Sequence, residues 1–240
     1  FCPIAPRQVC QVFSKSKKIP SRSFSKNTHN FFAWKITIQF GYLCYKYYLM
    51  INLVLFGKPG AGKGTQAEFL KSKYQLFHIS TGDLFRHNIS NKTDLGTLAQ
   101  SYMDKGDLVP DQVTIDMLKD TVENNPDAKG FIFDGFPRTT KQAEALDAFL
   151  SEKSMQISAT LALEADDDVL VERLINRGKT SGRTDDQDEE KIRNRFDEYN
   201  NKTAPLRAFY DAQGKFHSVD GIGSIDEITE RLTSLIDGLL

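Results

Sequence analysis

From residue 51 onward, short apolar runs alternate with longer stretches whose apolar residues recur three or four positions apart. Ile51-Asn-Leu-Val-Leu-Phe56 is apolar nearly throughout, the pattern of a strand buried on both faces. Lys63 to Lys73 reads as a helix, and Phe77-His-Ile-Ser80 as a short strand. Helical stretches follow from about Gly82 to Asn124, with interruptions near Lys92-Thr93 and at Pro110. Phe131-Ile-Phe133 is a third strand. Thr140 to Ser151 is a helix with Ala143, Leu146, Phe149 and Leu150 at helical spacing. Ile157 to Leu163 is a fourth strand, Asp166 to Asn176 and about Asp188 to Ala212 are helices, Phe216 to Val219 is a fifth strand, and Ile225 to Leu239 is a closing helix. Strands separated by helices pair in parallel through right-handed crossovers, so the pattern predicts an α/β fold with a five-stranded parallel sheet covered on both faces.

Composition changes the picture mainly at the N-terminus. The 240 residues carry a formal net charge of -1, so no overall basic field points to nucleic acid. Yet residues 1–50 hold eight Lys or Arg and no Asp or Glu, while the rest holds 23 basic and 32 acidic residues. All three cysteines (Cys2, Cys10, Cys44) and Trp34 also lie in that first segment. Residues 51–240 therefore contain neither a disulfide nor a thiolate zinc site. No run approaches the ~18 apolar residues of a membrane-spanning helix. Residues 1–49 show no clear period and are set aside as an N-terminal extension outside the fold, with Met50 as the expected start and residues 50–240 as the domain. An organelle-targeting presequence and a basic membrane-surface arm are the other readings of that extension.

The chemistry enters at Gly57-Lys-Pro-Gly-Ala-Gly-Lys-Gly-Thr65, between the first strand and the first helix. It fits G-x-x-x-x-G-K, with Gly57, Gly62 and Lys63 in place. Glycines let successive backbone N–H groups turn toward one anion, and the helix N-terminus adds its positive dipole end. Lys63 adds a full charge near the β/γ-phosphates of a nucleotide. The position after the lysine, normally Ser or Thr, is Gly64, and the hydroxyl comes at Thr65. Asn91-Lys-Thr-Asp94 matches a guanine-reading tetrapeptide but follows no apolar strand, so it reads as a polar interhelical loop with a capping Thr or Asp.

Four motifs in order resemble the adenylate kinase family over about residues 50–240. They are the loop Gly57–Thr65 with its Gly-Thr ending, Ser80-Thr-Gly-Asp-Leu-Phe-Arg86, Asp134-Gly-Phe-Pro-Arg138 with Gln142, and Arg183-Thr-Asp-Asp-Gln187 with Arg193 and Arg195. The resemblance implies a P-loop-type sheet with an inserted nucleoside-monophosphate-binding segment (about 80–109) and a lid (about 176–186). It implies phosphoryl transfer from Mg-ATP to AMP, giving two ADP, in a cytoplasmic monomer serving adenine nucleotide homeostasis and AMP salvage. Gly60, Ala61, Gly62, Lys63, Gly64 and Thr65 would hold the ATP phosphates with Arg177, and Gly223 would lie near the ATP base. Thr81, Arg86, Asp107, Leu108, Val109, Gly135, Phe136, Pro137, Arg138, Gln142, Arg183 and Arg195 would form the AMP site. Lys63, Arg138, Arg173, Arg177, Arg183 and Arg195 would form the catalytic charge clamp, with Asp134 organising hydrated Mg²⁺ near Thr65. Arg193 fits a surface ion pair, and no histidine enters the scheme.

The family's longer lid does not fit, because five residues separate Arg177 from Arg183. A short loop without structural metal is expected. No nucleic-acid or membrane partner is expected. The readings that keep much of this framework are a UMP/CMP kinase and a nucleotide-binding regulatory module without turnover. Thr81 and Gln142 favour AMP over the pyrimidine acceptors.

Overall fold

The computed structural model describes residues 50–239, and the extension 1–49, with its cysteines and Trp34, lies outside them. Five strands form one parallel sheet: β1 (Ile51–Phe56), β2 (Phe77–Ser80), β3 (Gly130–Asp134), β4 (Ala159–Glu164) and β5 (Phe216–Asp220). Their spatial order is β2-β3-β1-β4-β5. Nine α-helices occur among the described residues. They are α1 (Lys63–Tyr74), α2 (Thr81–Ser90), α3 (Asp94–Met103), α4 (Asp111–Glu123), α5 (Thr140–Glu152), α6 (Asp167–Ser181), α7 (Glu189–Glu198), α8 (Leu206–Asp211) and α9 (Ile225–Leu239).

Alternation along the strands sorts the core into two layers. Leu53 and Leu55 point to one face with Ile132, Leu161 and Leu163, where Ala67, Leu70, Leu174, Ile192 and Leu232 close over them. Val54 and Phe56 point to the other with Phe131, Phe133 and Ala162, covered by Leu118, Leu146, Leu150, Leu206 and Tyr210. Asn52 is the polar exception in β1, and its amide is satisfied: Nδ2 donates to the Gln156 carbonyl (2.9 Å) and Oδ1 accepts from the Phe131 N–H (3.1 Å). A third, smaller core under the inserted helices gathers Phe85, Ala99 and Val109. The insert thus packs around apolar residues of its own.

Register places the functional loops. Leu55 lies beside Asp134 and Ser80 beside Asp134, so the chain leaves β1, β2 and β3 at one level. Gly57, Thr81 and Gly135 therefore emerge together at the C-terminal edge of the sheet, where β1 lies between β3 and β4 and successive crossovers diverge.

Two sequence expectations change. The helix expected to stop at Asn176 runs on to Ser181 and ends at Gly182 in the left-handed conformation, so the connecting loop is only residues 182–188, with a 3₁₀ turn at Thr184–Asp186. The long helix expected from Asp188 to Ala212 is broken by a π-turn at Tyr199–Thr203. Pro205 follows it, and its missing N–H and ring clash oppose a continuous helix there. The Asn91-Lys-Thr-Asp94 tetrapeptide is the expected polar interhelical segment: residues 91–93 connect α2 to α3, and Thr93 caps α3 by accepting the Gly96 N–H at 3.0 Å.

Candidate active site

The loop after β1 has the build of an anion cradle. Gly57 has φ +138°, and a Cβ there would meet the Leu163 carbonyl at 2.6 Å, so only glycine lets the loop turn against β4. Helix α1 begins with no side-chain cap and no acidic residue in its first turn. Its first N–H groups are left for a ligand. The Lys63 ammonium folds back over the loop, donating to the carbonyls of Gly57 (2.7 Å) and Lys58 (3.1 Å). Burial pulls Lys63 down to about 8; Asp134 opposes this, while Arg138, Arg195 and Arg177 add to it. Gly64 leaves Asp134 Oδ2 within reach of the loop: a Cβ at Gly64 would stand 3.7 Å from that oxygen. Thr65 lies exposed in the first turn of α1.

A cleft of about 810 Å³ opens in front of this loop, lined by Lys63, Arg86, Arg138 and Arg195 among others. Arg138 is pinned by its own turn: Nε donates to the Gly135 carbonyl at 2.7 Å, and its carbonyl accepts from the Thr203 hydroxyl at 3.0 Å. Burial lowers the Arg138 guanidinium to about 10, with Arg195 in the same direction and Asp134 against it. Gly135 has φ +75°, and a Cβ there would crowd Arg138 Nη2 (2.9 Å) and Thr81 Oγ1 (3.0 Å). Thr81 itself is buried and donates to the Gly135 carbonyl. The same lining carries the carboxylates of Asp107, Asp185 and Glu198, so its four cations are largely balanced in charge, and bound phosphates offer them charge-assisted hydrogen bonds instead.

Arg195 lines the cleft from α7, and Arg177 on α6, which lines neither cavity, is tied to it through a shared carboxylate. Asp186 has no exposed surface and accepts from Arg177 Nε (2.6 Å) and Nη2 (3.0 Å), and from Arg195 Nη1 (2.8 Å). Burial alone would raise its pKa, but the Arg177 and Arg195 hydrogen bonds and charges hold it below the ordinary carboxylate value. Asp185 adds a second carboxylate oxygen to Arg195 at 2.9 Å. Gly178 makes room for this turn, since a Cβ there would meet the Asp186 carbonyl at 2.6 Å. In the sequence Asp185 and Asp186 stand out only as the middle of the Arg183–Gln187 motif; the buried position of Asp186 comes from the α6–α7 packing.

On the acceptor side, Arg86 and Arg183 converge on Asp83 Oδ1, at 2.5 and 3.4 Å. A side pocket of about 370 Å³ joins the main cleft, walled by Thr81, Phe85, Met103, Asp107, Leu108, Val109, Gly135 and Arg138. Gln142, only 2% exposed, also lines it. Pro137 lines the main cleft.

Two expected roles move, and a residue with none lies against the site. The Phe136 side chain is buried in the core with Phe131 and Phe133 and lines neither cavity, because Gly135 and Pro137 turn the backbone past it. Arg173 does not join the phosphate cluster. Its guanidinium contacts the Gly221 carbonyl at 3.4 Å, supporting the β5–α9 loop that carries Gly223. One turn separates it from Arg177 on α6, yet their tips diverge. His78, given no role by sequence reasoning, lies between two carboxylates: Nδ1 is 3.1 Å from Glu68 Oε1 and Nε2 is 3.5 Å from Asp134 Oδ2. Burial lowers its pKa, but the hydrogen bonds and charges of Asp134 and Glu68 more than offset this. The only signal in sequence was its place in β2, next to β3. Arg193 forms the expected exposed pair, with Glu189 at 2.6 Å.

A family model described as adenylate kinase matches residues 55–215. A protein of Flavobacterium psychrophilum named adenylate kinase is 67% identical over 190 residues, which is 79% of this chain and all of that relative. An adenylate kinase of Flavobacterium johnsoniae is 65% identical with the same coverage, and one of Bacteroides fragilis is 46% identical over 190 residues. With the family model matching residues 55–215 and these relatives covered along their whole length, this chain belongs to the adenylate kinase family.

Proposed function

We infer that the chain catalyses the reversible transfer of a phosphoryl group from ATP to AMP, giving two ADP. One observation carries the reading: Lys63, Arg86, Arg138 and Arg195 line one cleft between an uncapped helix N-terminus and an adjoining side pocket. Two anionic nucleotides can meet there with their repulsion cancelled. Phosphoryl transfer asks for alignment and charge stabilisation rather than covalent chemistry from the protein.

The backbone N–H groups from Gly60 to Thr65 hold the ATP phosphates, and Lys63 exchanges its loop carbonyls for phosphate oxygens. Arg177 and Arg195 turn from Asp186 toward the transferred group. Arg86 and Arg138 hold the AMP phosphate with fork geometry, Arg183 approaches beside Arg86, and Thr81 and Gln142 face the AMP nucleoside. The backbone of the β5–α9 loop at Gly223, braced by Arg173, lies against the ATP base. Asp134 and the Thr65 hydroxyl are oxygen donors suited to a hydrated Mg²⁺ that arrives with ATP, and the ion supplies charge neutralisation on the phosphates. No side chain is required as a general base.

Both pockets are lined by one chain, which supports a monomer; light scattering after gel filtration checks it. No described helix is long and apolar enough to cross a membrane, and the curated relatives are bacterial, which supports a cytoplasmic location. Residues 50–240 carry the whole activity in this reading, so that segment expressed alone should be soluble and active. The decisive test offers Mg-ATP with AMP, CMP, UMP or GMP in a coupled assay. ADP formation fastest from AMP is expected. Preference for CMP or UMP would overturn the base assignment, and nucleotide binding without turnover would mark a regulatory module.

A further inference from the structure

Gln142 is the buried amide at the wall of the acceptor pocket, and both ends of that amide are already engaged by one-way partners. Its Oε1 accepts from the backbone N–H of Arg138 at 2.8 Å, a group that can only donate. Its Nε2 donates to Oδ1 of Asp111 at 2.8 Å, a carboxylate that can only accept. The same oxygen of Asp111 accepts from the Thr139 hydroxyl at 3.1 Å, and Thr139 in turn accepts the Gln142 backbone N–H at 3.2 Å. A flipped amide would set NH₂ against N–H on one side and carbonyl against carboxylate on the other. Only one orientation is allowed.

That orientation has a consequence for the base. An amide oxygen has two lone pairs and an amide nitrogen two N–H groups. After the internal bonds, one acceptor site and one donor remain. Adenine offers an N6 amino donor and an N1 acceptor on its pairing edge, which matches this pair. A 6-oxopurine offers an O6 acceptor and an N1–H donor, and it would need the amide reversed.

We propose that Asp111, which lines neither the main cleft nor the side pocket, is a specificity-determining positioning residue that locks the Gln142 amide for 6-aminopurine nucleotides and against 6-oxopurine nucleotides. The inference rests on Gln142 reading the acceptor base. Asp111 opens α4, and the lock therefore ties base choice to the packing of α4 against α5 rather than to the pocket wall alone.

The test compares kcat/KM for AMP and for inosine monophosphate, which differ at the six-position, in the full chain and its Asp111→Asn and Asp111→Ser variants. Asparagine keeps the size but can present either an acceptor or a donor; serine is the second variant should asparagine disturb folding. The AMP-to-inosine-monophosphate ratio should fall about tenfold, with KM changing more than kcat, because one of the two one-way partners that enforce the amide orientation is relaxed while the Arg138 N–H remains. Loss of activity toward both nucleotides with an unchanged ratio would assign Asp111 a merely structural role and overturn the proposal. Gln142→Ala separates the two layers. If it collapses the ratio while both Asp111 variants keep it, the positioning role fails and the base-reading role of Gln142 stands. If Gln142→Ala itself keeps the ratio, the base-reading role fails and the lock with it.

Discussion

The Gly57–Thr65 loop builds one wall of the cleft from a single local stretch of chain, whereas the facing arginines come from three places: Arg86 on α2, Arg138 after β3 and Arg195 on α7, the last tied to Arg177 on α6 through Asp186. The first wall is made of backbone. Its anion affinity comes from N–H groups and a helix end, which exist as soon as the local turn forms. The second wall is made of long side chains whose position depends on what holds them. Arg177 and Arg195 are parked on the buried Asp186, and Arg86 and Arg183 on Asp83. A backbone site tolerates little change in its turn but needs no partners. A side-chain site needs counter-ions that keep the cations aimed and soluble before the phosphates arrive.

The largest effect should come from the second wall. Arg138→Ala should lower kcat by about 10²–10³ and weaken AMP, since a preorganised donor at developing charge is lost. ATP affinity, carried by the backbone wall, should stay within about threefold of the parent, within the scatter of such measurements. Steady-state kinetics together with ATP titration would show both, and an equal loss of ATP affinity would break the contrast between the walls.

Asp186→Asn tests the parking carboxylate. It leaves two arginines partly unpaired beside a buried site, at a cost of about 2–3 kcal/mol in chemical denaturation. The pH dependence has a definite sign. The folded Asp186 carboxyl titrates below its ordinary value of 3.8, so its contribution is fully present above that value and is lost as pH falls through the folded pKa. The parent should lose stability relative to Asp186→Asn as pH drops below about 4. Parallel stability curves for the two proteins across that window would remove Asp186 from the clamp.

Gly57→Ala probes the backbone wall directly. Its φ of +138° and the 2.6 Å approach to the Leu163 carbonyl predict destabilisation of about 1–3 kcal/mol. Weaker ATP binding should accompany it, with AMP binding little changed. Differential scanning calorimetry and titration with each nucleotide would read the two effects separately. The smallest effect is expected from Arg193→Ala, which removes an exposed pair with Glu189 worth about 0.3–0.5 kcal/mol. Turnover should not change, and a tenfold loss would place Arg193 in the clamp after all.

Much of this molecule was legible in one dimension. The apolar run at Ile51–Phe56 followed by Gly57–Thr65 specified a strand, a turn and a helix end, because each depends on residues within a few positions of one another. The closing helix Ile225–Leu239 fell where its spacing placed it, with Ile228, Leu232 and Ile236 on one buried stripe. Thr81, Arg86, Arg138 and Gln142 were singled out from local motifs, and the fold places all four on the linings of the cleft and its side pocket. The limits of α6 and the break after α7 were not legible: whether Arg177–Ser181 coils as helix or loop depends on Asp186 packing under Gly178. Phe136 was misplaced for a related reason, since a motif names consecutive residues while the fold sends alternate side chains to opposite sides.

Local geometry, then, is what the amino-acid order determined by itself: which segments are strands and which helices, the phosphate turn, and which residue types stand ready to bind phosphate. Short-range sterics and backbone hydrogen bonding suffice for those. Tertiary structure alone decided how each cation is held and aimed. Asp186 became the shared partner of Arg177 and Arg195, Arg173 turned to Gly221, and Asp111 reached Gln142 across 31 positions of chain. Such contacts join residues far apart in sequence, and their strength depends on burial, which no residue possesses until the surrounding helices have closed over it.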